Sequence, residues 1–209
     1  MKLLPLILLA PMLAHAVTFE MGVGVAHTND MGDGVWVQHG VSQHAEALNT
    51  PAYLTGLTGD LGTHFAWHAD YVYLGTISAS CVCVGDEHYN PHTHIAAVRG
   101  SIPFNGQGHT QGVMLTLEPH FTYAGLRFGV EAGPWVYWST WHESRLDPQY
   151  PDQTDLSHVT RPQLGAVAGV SVGAHDWRIA YRYFYQRQQW NPFPALQTGA
   201  HMLTFEKKW

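Results

Sequence analysis

The chain has 209 residues and a formal net charge of −6, and charged residues make up only 12% of it, as many as the aromatic residues. A mildly acidic chain without a basic block does not favour nucleic-acid binding. No long apolar run follows the first sixteen residues, which excludes a bundle of membrane-spanning helices. Low charge, many aromatics and 21 glycines favour one β domain over a helical one.

The first sixteen residues, MKLLPLILLAPMLAHA, predict a secretory signal peptide. Lys2 supplies the positive charge of the n-region, residues 3–13 form the apolar h-region, and residues 14–16 form a small-x-small cleavage site. The apolar stretch is shorter than the roughly 20 residues that a membrane-spanning helix needs. We therefore expect an exported mature chain, residues 17–209, that forms a single domain.

From residue 17 onward, eight segments show the alternation of apolar and polar residues that strands require. In chain order these predicted strands are 17–27, 50–60, 63–79, 111–124, 126–143, 159–173, 177–190 and 199–209. The strand from 177 has an aromatic-rich face opposite Arg178, Arg182 and Gln186. In the third predicted strand, Ile77 is assigned to the apolar face and Thr76 to the polar one.

The connections between these strands alternate in length. Those at 59–62, 123–126 and 173–177 are tight turns, whereas the longer, polar connections are 28–49, 80–110, 144–158 and 191–198. Short turns at one end and long loops at the other are typical of outer-membrane barrels. We predict an all-β fold, an eight-stranded antiparallel up-and-down transmembrane β-barrel with short periplasmic turns and longer external loops.

Two features leave parts of this assignment open. Pro119 and Pro134 interrupt strand patterns that a closed barrel would keep unbroken, because proline has no N–H to donate to the ladder. Residues 95–110 are compatible with an additional hairpin as well as with a long loop. The first three predicted strands are defined less sharply than the later ones, because residues 28–62 also hold several glycines.

The chain resembles the small eight-stranded outer-membrane proteins of the OmpA, OmpX and NspA kind. The resemblance covers nearly all of residues 17–209 and rests on the signal peptide, strands such as WRIAYRYFYQ, the short turns and the final strand HMLTFEKKW. In that group a C-terminal aromatic residue, here Trp209, helps assembly into the outer membrane. The group includes adhesins, structural proteins and enzymes, so the resemblance implies fold and location rather than activity.

The polar faces carry sparse charges of both signs, which we expect to meet inside the barrel. The candidate interior ionic network comprises Glu118, His120, Arg127, Glu131, Arg178 and Arg182. Eight strands leave an interior that side chains fill, which favours a compensated ionic plug. The alternative is a gated pore or proton path through the same residues.

A second candidate site lies in CVCVGDEHYNPHTH, residues 81–94, predicted to enter the longest external loop. Its candidate metal ligands are Cys81, Cys83, His88, His92 and His94. Thiolates and imidazoles suit zinc or copper, and no other cofactor is predicted. The spacing is not that of a zinc finger and the chain holds 15 histidines, so a solvated loop is favoured over a metal site. On an extended strand the Cα atoms of Cys81 and Cys83 lie about 7 Å apart, beyond the usual Cα–Cα range of a disulfide.

The favoured function is a non-enzymatic outer-membrane protein whose polar external loops bind a partner or shield the cell surface. The expected partners are outer-membrane lipid, lipopolysaccharide, and an extracellular or envelope protein. Nucleic acid is not expected as a partner, and the protein is expected to be a monomer.

Two alternatives belong to other classes of protein. The first is a lipid A deacylase-like enzyme, for which the resemblance implies a His-x-Ser motif near the outer end of the penultimate strand. That stretch reads YFYQRQQWNP here, and the His-x-Ser at 142–144 ends a different strand. The second is a soluble periplasmic β-sandwich or lipocalin-like binder, which would expose Arg127, Glu131, Arg178 and Arg182 to water.

Overall fold

The computed structural model describes the backbone of residues 17–29, 41–90, 95–145, 155–159, 161–186 and 199–209. Side chains are described for 17–29, 47–80, 105–142, 144, 161–186 and 199–209. The strands are β1 Thr18–Thr28, β2 Val41–Ala47, β3 Asn49–Asp60, β4 Phe65–Asn90, β5 Ile95–Tyr123, β6 Leu126–Arg145, β7 Asp155–Val159, β8 Gln163–Ala174, β9 Trp177–Tyr185 and β10 Gly199–Lys208. In the described residues, no helix has the length and apolar character needed to cross a membrane.

Eight of these strands close into one antiparallel barrel. The wall runs β1–β3–β4–β5–β6–β8–β9–β10, and β10 pairs back with β1. The closing ladder extends from Glu20 opposite Lys208 to Thr28 opposite Ala200. The prediction of a closed, eight-stranded, up-and-down β-barrel is therefore confirmed, and the β-sandwich alternative is wrong.

The external ends of the strands differ from the prediction. β4 and β5 stay paired as far as Asn90 opposite Ile95, so the long polar loop predicted at 80–110 is wrong. The predicted loops 28–49 and 144–158 contain β2 and most of β7, which pair with β4 and β6. Extended pairing satisfies backbone N–H and C=O groups that a long loop would leave to water. The prediction assigned these segments to loops because of their polar composition.

A bulge in β4 changes the faces assigned to two residues. The register between β4 and β5 shifts between Tyr73 and Thr76, and Gly75 has a φ of +84°. Glycine adopts this conformation without the strain that a side chain brings. Beyond the bulge Ile77 is buried inside the barrel and Thr76 is exposed, so their predicted faces were reversed.

Both prolines lie within strands and face outward. The β5–β6 ladder has pairs at Met114–Trp135, Leu117–Ala132 and His120–Gly129, but none at Pro119 or Pro134. The pairs on either side keep the same register. The missing N–H groups therefore interrupt this ladder locally without opening the barrel.

An apolar belt surrounds the outside of the barrel. Exposed members of the belt include Phe19, Val23, Leu57, Phe65, Leu115, Leu117, Phe121, Val130, Leu164, Val170, Ile179, Leu203 and Phe205. On β5 the belt extends from Val113 to Tyr123, about 25 Å along the axis for a strand that rises ~3.4 Å per residue and tilts ~40°. Soluble monomers rarely expose an apolar surface of this extent, whereas hydrocarbon matches it.

A layer of apolar side chains crosses the interior in the external half of the barrel. All eight barrel strands contribute to it, and its members are Ala26, Ala52, Leu54, Val72, Leu74, Met114, Trp135, Tyr137, Val167, Phe184, Ala200 and Met202. The Trp135 ring lies 4.7 Å from Tyr137 and 4.9 Å from Phe184, measured between ring centroids. Its indole N–H donates to the Tyr185 carbonyl at 3.1 Å, so the large ring is held in place. This layer therefore spans the interior between the strands of the wall.

Replacing Leu117, in the middle of the belt, with arginine is expected to lower the free energy of unfolding by about 2–4 kcal/mol, because it places a charge in hydrocarbon. The matched control is Gln107→Arg, on the same face of β5 but beyond the belt, with an expected loss of about 0–1 kcal/mol. Denaturant unfolding of the barrel in lipid vesicles measures both. Equal losses would contradict a lipid-facing belt.

Candidate functional site

Below the apolar layer, the half of the barrel nearer the tight turns is filled with charged side chains. Arg178 and Arg182 lie four residues apart on β9, so the two-residue period of a strand directs both inward. Glu206 on β10 is the direct cross-strand partner of Arg178. These three side chains are 6% exposed or less and form the centre of the cluster.

Glu206 is shared between the two arginines. Its carboxylate contacts Arg178 Nε and Arg182 Nη1, and it accepts a further bond from Arg182 Nη2 at 3.2 Å. The Thr204 hydroxyl donates to the same carboxylate at 2.5 Å. On its other side, Arg182 contacts Glu131 of β6, so this guanidinium joins β6 to β10 through the lumen.

Glu118 of β5 forms the second centre. Arg178 Nη1 lies 2.6 Å from Glu118 Oε2, and Ser171 of β8 donates to the same oxygen at 3.2 Å. Arg127 donates to Glu118 Oε1 through Nε at 3.2 Å and Nη2 at 2.9 Å. Arg127 also reaches Asp60 at the turn end, at 3.0 Å, so the cluster continues to the mouth of the barrel.

His68 of β4 lies between two carboxylates. Its Nδ1 is 2.8 Å from Glu20 Oε1, and its Nε2 is 3.3 Å from Glu118 Oε2 and 2.9 Å from Arg178 Nη1. The side chains of His68, Glu20 and Glu118 are at most 1% exposed. With these contacts the cluster includes the first strand of the barrel as well as the last.

Asp70, two residues along β4, differs from its neighbours. It is fully buried, and neither carboxylate oxygen has a hydrogen-bond partner among the described residues. Ligand-type atoms of Glu20, His68 and Asp70 lie within 4.8 Å of one another, as do those of His68, Glu118 and Glu131. Such groups suit a metal, but Arg178 already donates to both His68 and Glu118.

The structure brings together five of the six residues proposed for the interior network, namely Glu118, Arg127, Glu131, Arg178 and Arg182. The sixth, His120, forms no ion pair with the described carboxylates of the cluster, and its Nδ1 lies 3.4 Å from the backbone oxygen of Glu118. The sequence analysis did not include four further residues of the ionic cluster, namely Glu20, His68, Asp70 and Glu206. The polar alternation of TFEMG and LTFEK is the signal that was available for Glu20 and Glu206.

The second candidate site lies largely outside the described part of the chain. The backbone at Cys81, Cys83 and His88 belongs to β4, which replaces the predicted loop with a strand. Their side chains, and residues 92 and 94 as a whole, are outside the described residues. Zinc or copper binding by this segment stays a prediction.

The ionic cluster is open to water at one end. A cavity of about 50 Å³ at the turn end is lined by Glu118, Arg127, Arg178, His175 and Lys208, among others. At the other end, the apolar layer covers the cluster. Small polar molecules can therefore reach the mouth of the cluster from the turn side.

No family model and no curated protein sequence matches the chain. Similar solved structures include Ail, the attachment invasion locus protein of Yersinia pestis, with 11% identity and a TM-score of 0.47 over 92% of this chain and 97% of that chain. Neisserial surface protein A has 10% identity and a TM-score of 0.34 over 92% of this chain and 97% of that chain. At such low scores the likeness carries no argument about activity, ligand or location.

Replacing Arg182 with methionine is expected to lower the free energy of unfolding by about 3–5 kcal/mol, because Glu131 and Glu206 then lose a buried counter-charge. The control is Arg127→Met, which should cost about 1 kcal/mol or less. Arg127 is 26% exposed, and Glu118 keeps its contact with Arg178. Denaturant unfolding in lipid vesicles distinguishes them, and similar losses would argue against a central role for Arg182.

Asp70→Asn is expected to change the free energy of unfolding by less than about 1 kcal/mol, because Asp70 accepts no hydrogen bond that the change removes. A carboxylate oxygen of Glu20 lies within 4.8 Å of an Asp70 oxygen and offers the new amide an acceptor. Glu206→Gln, which disrupts several bonds, should cost about 3 kcal/mol or more. If Asp70→Asn proves as costly as Glu206→Gln in the same unfolding assay, Asp70 has a partner that this geometry does not contain.

Proposed function

We propose that this chain is a non-enzymatic integral protein of the bacterial outer membrane. In this proposal it is a rigid, non-conducting barrel that presents its external strand ends and loops for binding or for shielding the cell surface. The observation that carries the proposal is the inverted distribution of side chains, with an apolar belt outside and an ionic cluster inside whose central residues are buried.

The outer surface supports the membrane location. Leu115, Phe121, Val130 and Leu164 are each more than half exposed, as lipid-facing residues are, while Arg182 and Glu131 are buried. A soluble binder needs the opposite arrangement, with the arginines in water and the apolar residues in a core. A closed barrel also has no free strand edge, and hydrogen-bonds its backbone wholly within the wall, as hydrocarbon requires.

The interior supports a plug rather than a channel. A polar path through the ionic cluster would end at the apolar layer, to which all eight barrel strands contribute. Moving an ion through that layer would remove its hydration without replacing it. The gated-pore alternative is therefore disfavoured, and the cluster is assigned the role of holding the wall together from within.

The external ends support a display role. Residues 95–110 of β5 continue beyond the belt, and β4 and β6 pair with them on either side. Sixteen residues at ~3.4 Å each amount to roughly 50 Å of strand. The described outward side chains there, Asn105, Gln107 and His109, are polar. A paired projection whose described outward side chains are polar suits contact with lipopolysaccharide or with an envelope or extracellular protein.

The enzymatic alternative has less support. The penultimate strand carries no His or Ser in YFYQRQQWNP, the stretch that would match the His-x-Ser motif of lipid A deacylases. Incubation of the purified protein with lipid A tests this point directly. Release of acyl chains that depends on His142 or Ser144 would replace the non-enzymatic proposal with the enzymatic one.

The proposal predicts a barrel that sediments with the outer membrane and migrates differently on SDS gels before and after boiling. The folded protein in planar bilayers should show no stepwise conductance, because the apolar layer blocks the lumen. Soluble protein without a mobility shift would refute the membrane location. Stepwise ion currents would leave the location intact but refute the plug.

A further inference from the structure

Two histidines face each other across the seam where the barrel closes. His27 on β1 and His201 on β10 are direct cross-strand partners in the ladder that joins the first strand to the last. Their ring centroids lie 6.4 Å apart, and the ring planes are inclined by 29°. Neither residue belongs to the ionic cluster or to the 81–94 segment.

The pair is located where the apolar belt ends. On β1 the preceding outward residue is Val25, 58% exposed, and on β10 the following outward residue is Leu203, 48% exposed. His27 and His201 occupy the next outward position on each strand, toward the external end. Imidazoles at this height are at the boundary between hydrocarbon and water, where dissolved ions can reach them.

Each ring is oriented by an oxygen on a neighbouring strand. His27 Nδ1 lies 2.9 Å from the amide oxygen of Asn49 on β3, and His201 Nδ1 lies 2.6 Å from the Tyr181 hydroxyl on β9. An amide oxygen only accepts, so His27 carries its proton on Nδ1 and leaves the lone pair of Nε2 free. The Tyr181 oxygen can accept the corresponding proton of His201.

Metal-bound histidines have this same arrangement, in which one ring nitrogen donates to an oxygen and the other binds the ion. The Tyr183 ring, 4.9 Å from His201 between centroids, further restricts that imidazole. With ring centroids 6.4 Å apart, one ion at the usual metal–nitrogen distance of about 2 Å would lie between the two rings. The remaining positions around the ion would be filled by water.

We propose that His27 and His201 bind one transition-metal ion, Zn²⁺, Cu²⁺ or Ni²⁺, through their Nε2 atoms. These are the ions for which imidazole is a suitable ligand. The ion cross-links β1 to β10, the two strands whose pairing closes the barrel. Because the site exists only when this seam is closed, the ion stabilises the folded barrel over the unfolded chain.

Cu²⁺ binding tests the site, with EPR spectroscopy counting the imidazoles bound to the ion. The protein is folded in detergent in a background that lacks the other candidate ligands, namely Cys81→Ser, Cys83→Ser, His88→Gln, His92→Gln and His94→Gln. This background should bind one Cu²⁺ through two imidazoles. His27→Gln or His201→Gln should each leave one imidazole and weaken binding at least tenfold.

The matched control is His64→Gln, at an exposed turn at the opposite end of the barrel, which should leave both the imidazole count and the affinity unchanged. The SDS-gel mobility shift, retained by every variant, shows that loss of binding is not loss of folding. A two-imidazole signal that persists in His27→Gln or His201→Gln would overturn the proposal. So would the absence of saturable Cu²⁺ binding by the folded background protein.

The stabilisation of the β1–β10 seam by the ion is tested separately, by the thermal stability of the folded barrel. Zn²⁺ should raise the temperature at which the folded gel band is lost, EDTA should reverse the effect, and His27→Gln and His201→Gln should abolish it. A rise of equal size in both variants would place the stabilising ion elsewhere and refute the cross-link.

Discussion

The barrel depends on two arginine side chains that are removed from water. Arg178 and Arg182 project from one strand into a lumen too narrow to hydrate them, so their charges must be matched by carboxylates from other strands. Glu206, Glu131 and Glu118 supply that match from three other strands. Since a displaced carboxylate would leave a buried charge unpaired, the cluster favours one register of the wall over all others.

The two halves of the interior have different roles. The ionic half links distant strands through directional contacts, and the apolar half fills the remaining space with Trp135, Phe184 and their neighbours. Together they tie the eight strands of the wall to one another from within, as the proposed role of a plug requires. A rigid scaffold that carries polar extensions is a common basis for recognition at a surface.

Much of this architecture could be predicted from the sequence, because the two-residue period of a strand involves only residues that are close along the chain. The alternation in WRIAYRYFYQ places Arg178 and Arg182 on one face and the tyrosines on the other without knowledge of any partner strand. The same reasoning failed at Ile77, because the bulge at Gly75 moves the described residues that follow it on β4, as far as Ser80, to the opposite face. It also failed at 80–110, where pairing with neighbouring strands, rather than composition, makes the segment extended.

The sequence by itself determined the alternating faces, the tight turns and hence the number of barrel strands, because these follow from interactions between residues close along the chain. Only the tertiary structure decided that Glu206 faces Arg178, that Glu20 faces His68, and that His27 faces His201. These pairs are separated by between 28 and 174 residues. Their meeting depends on the register of strands around a closed wall, and no local pattern encodes that register.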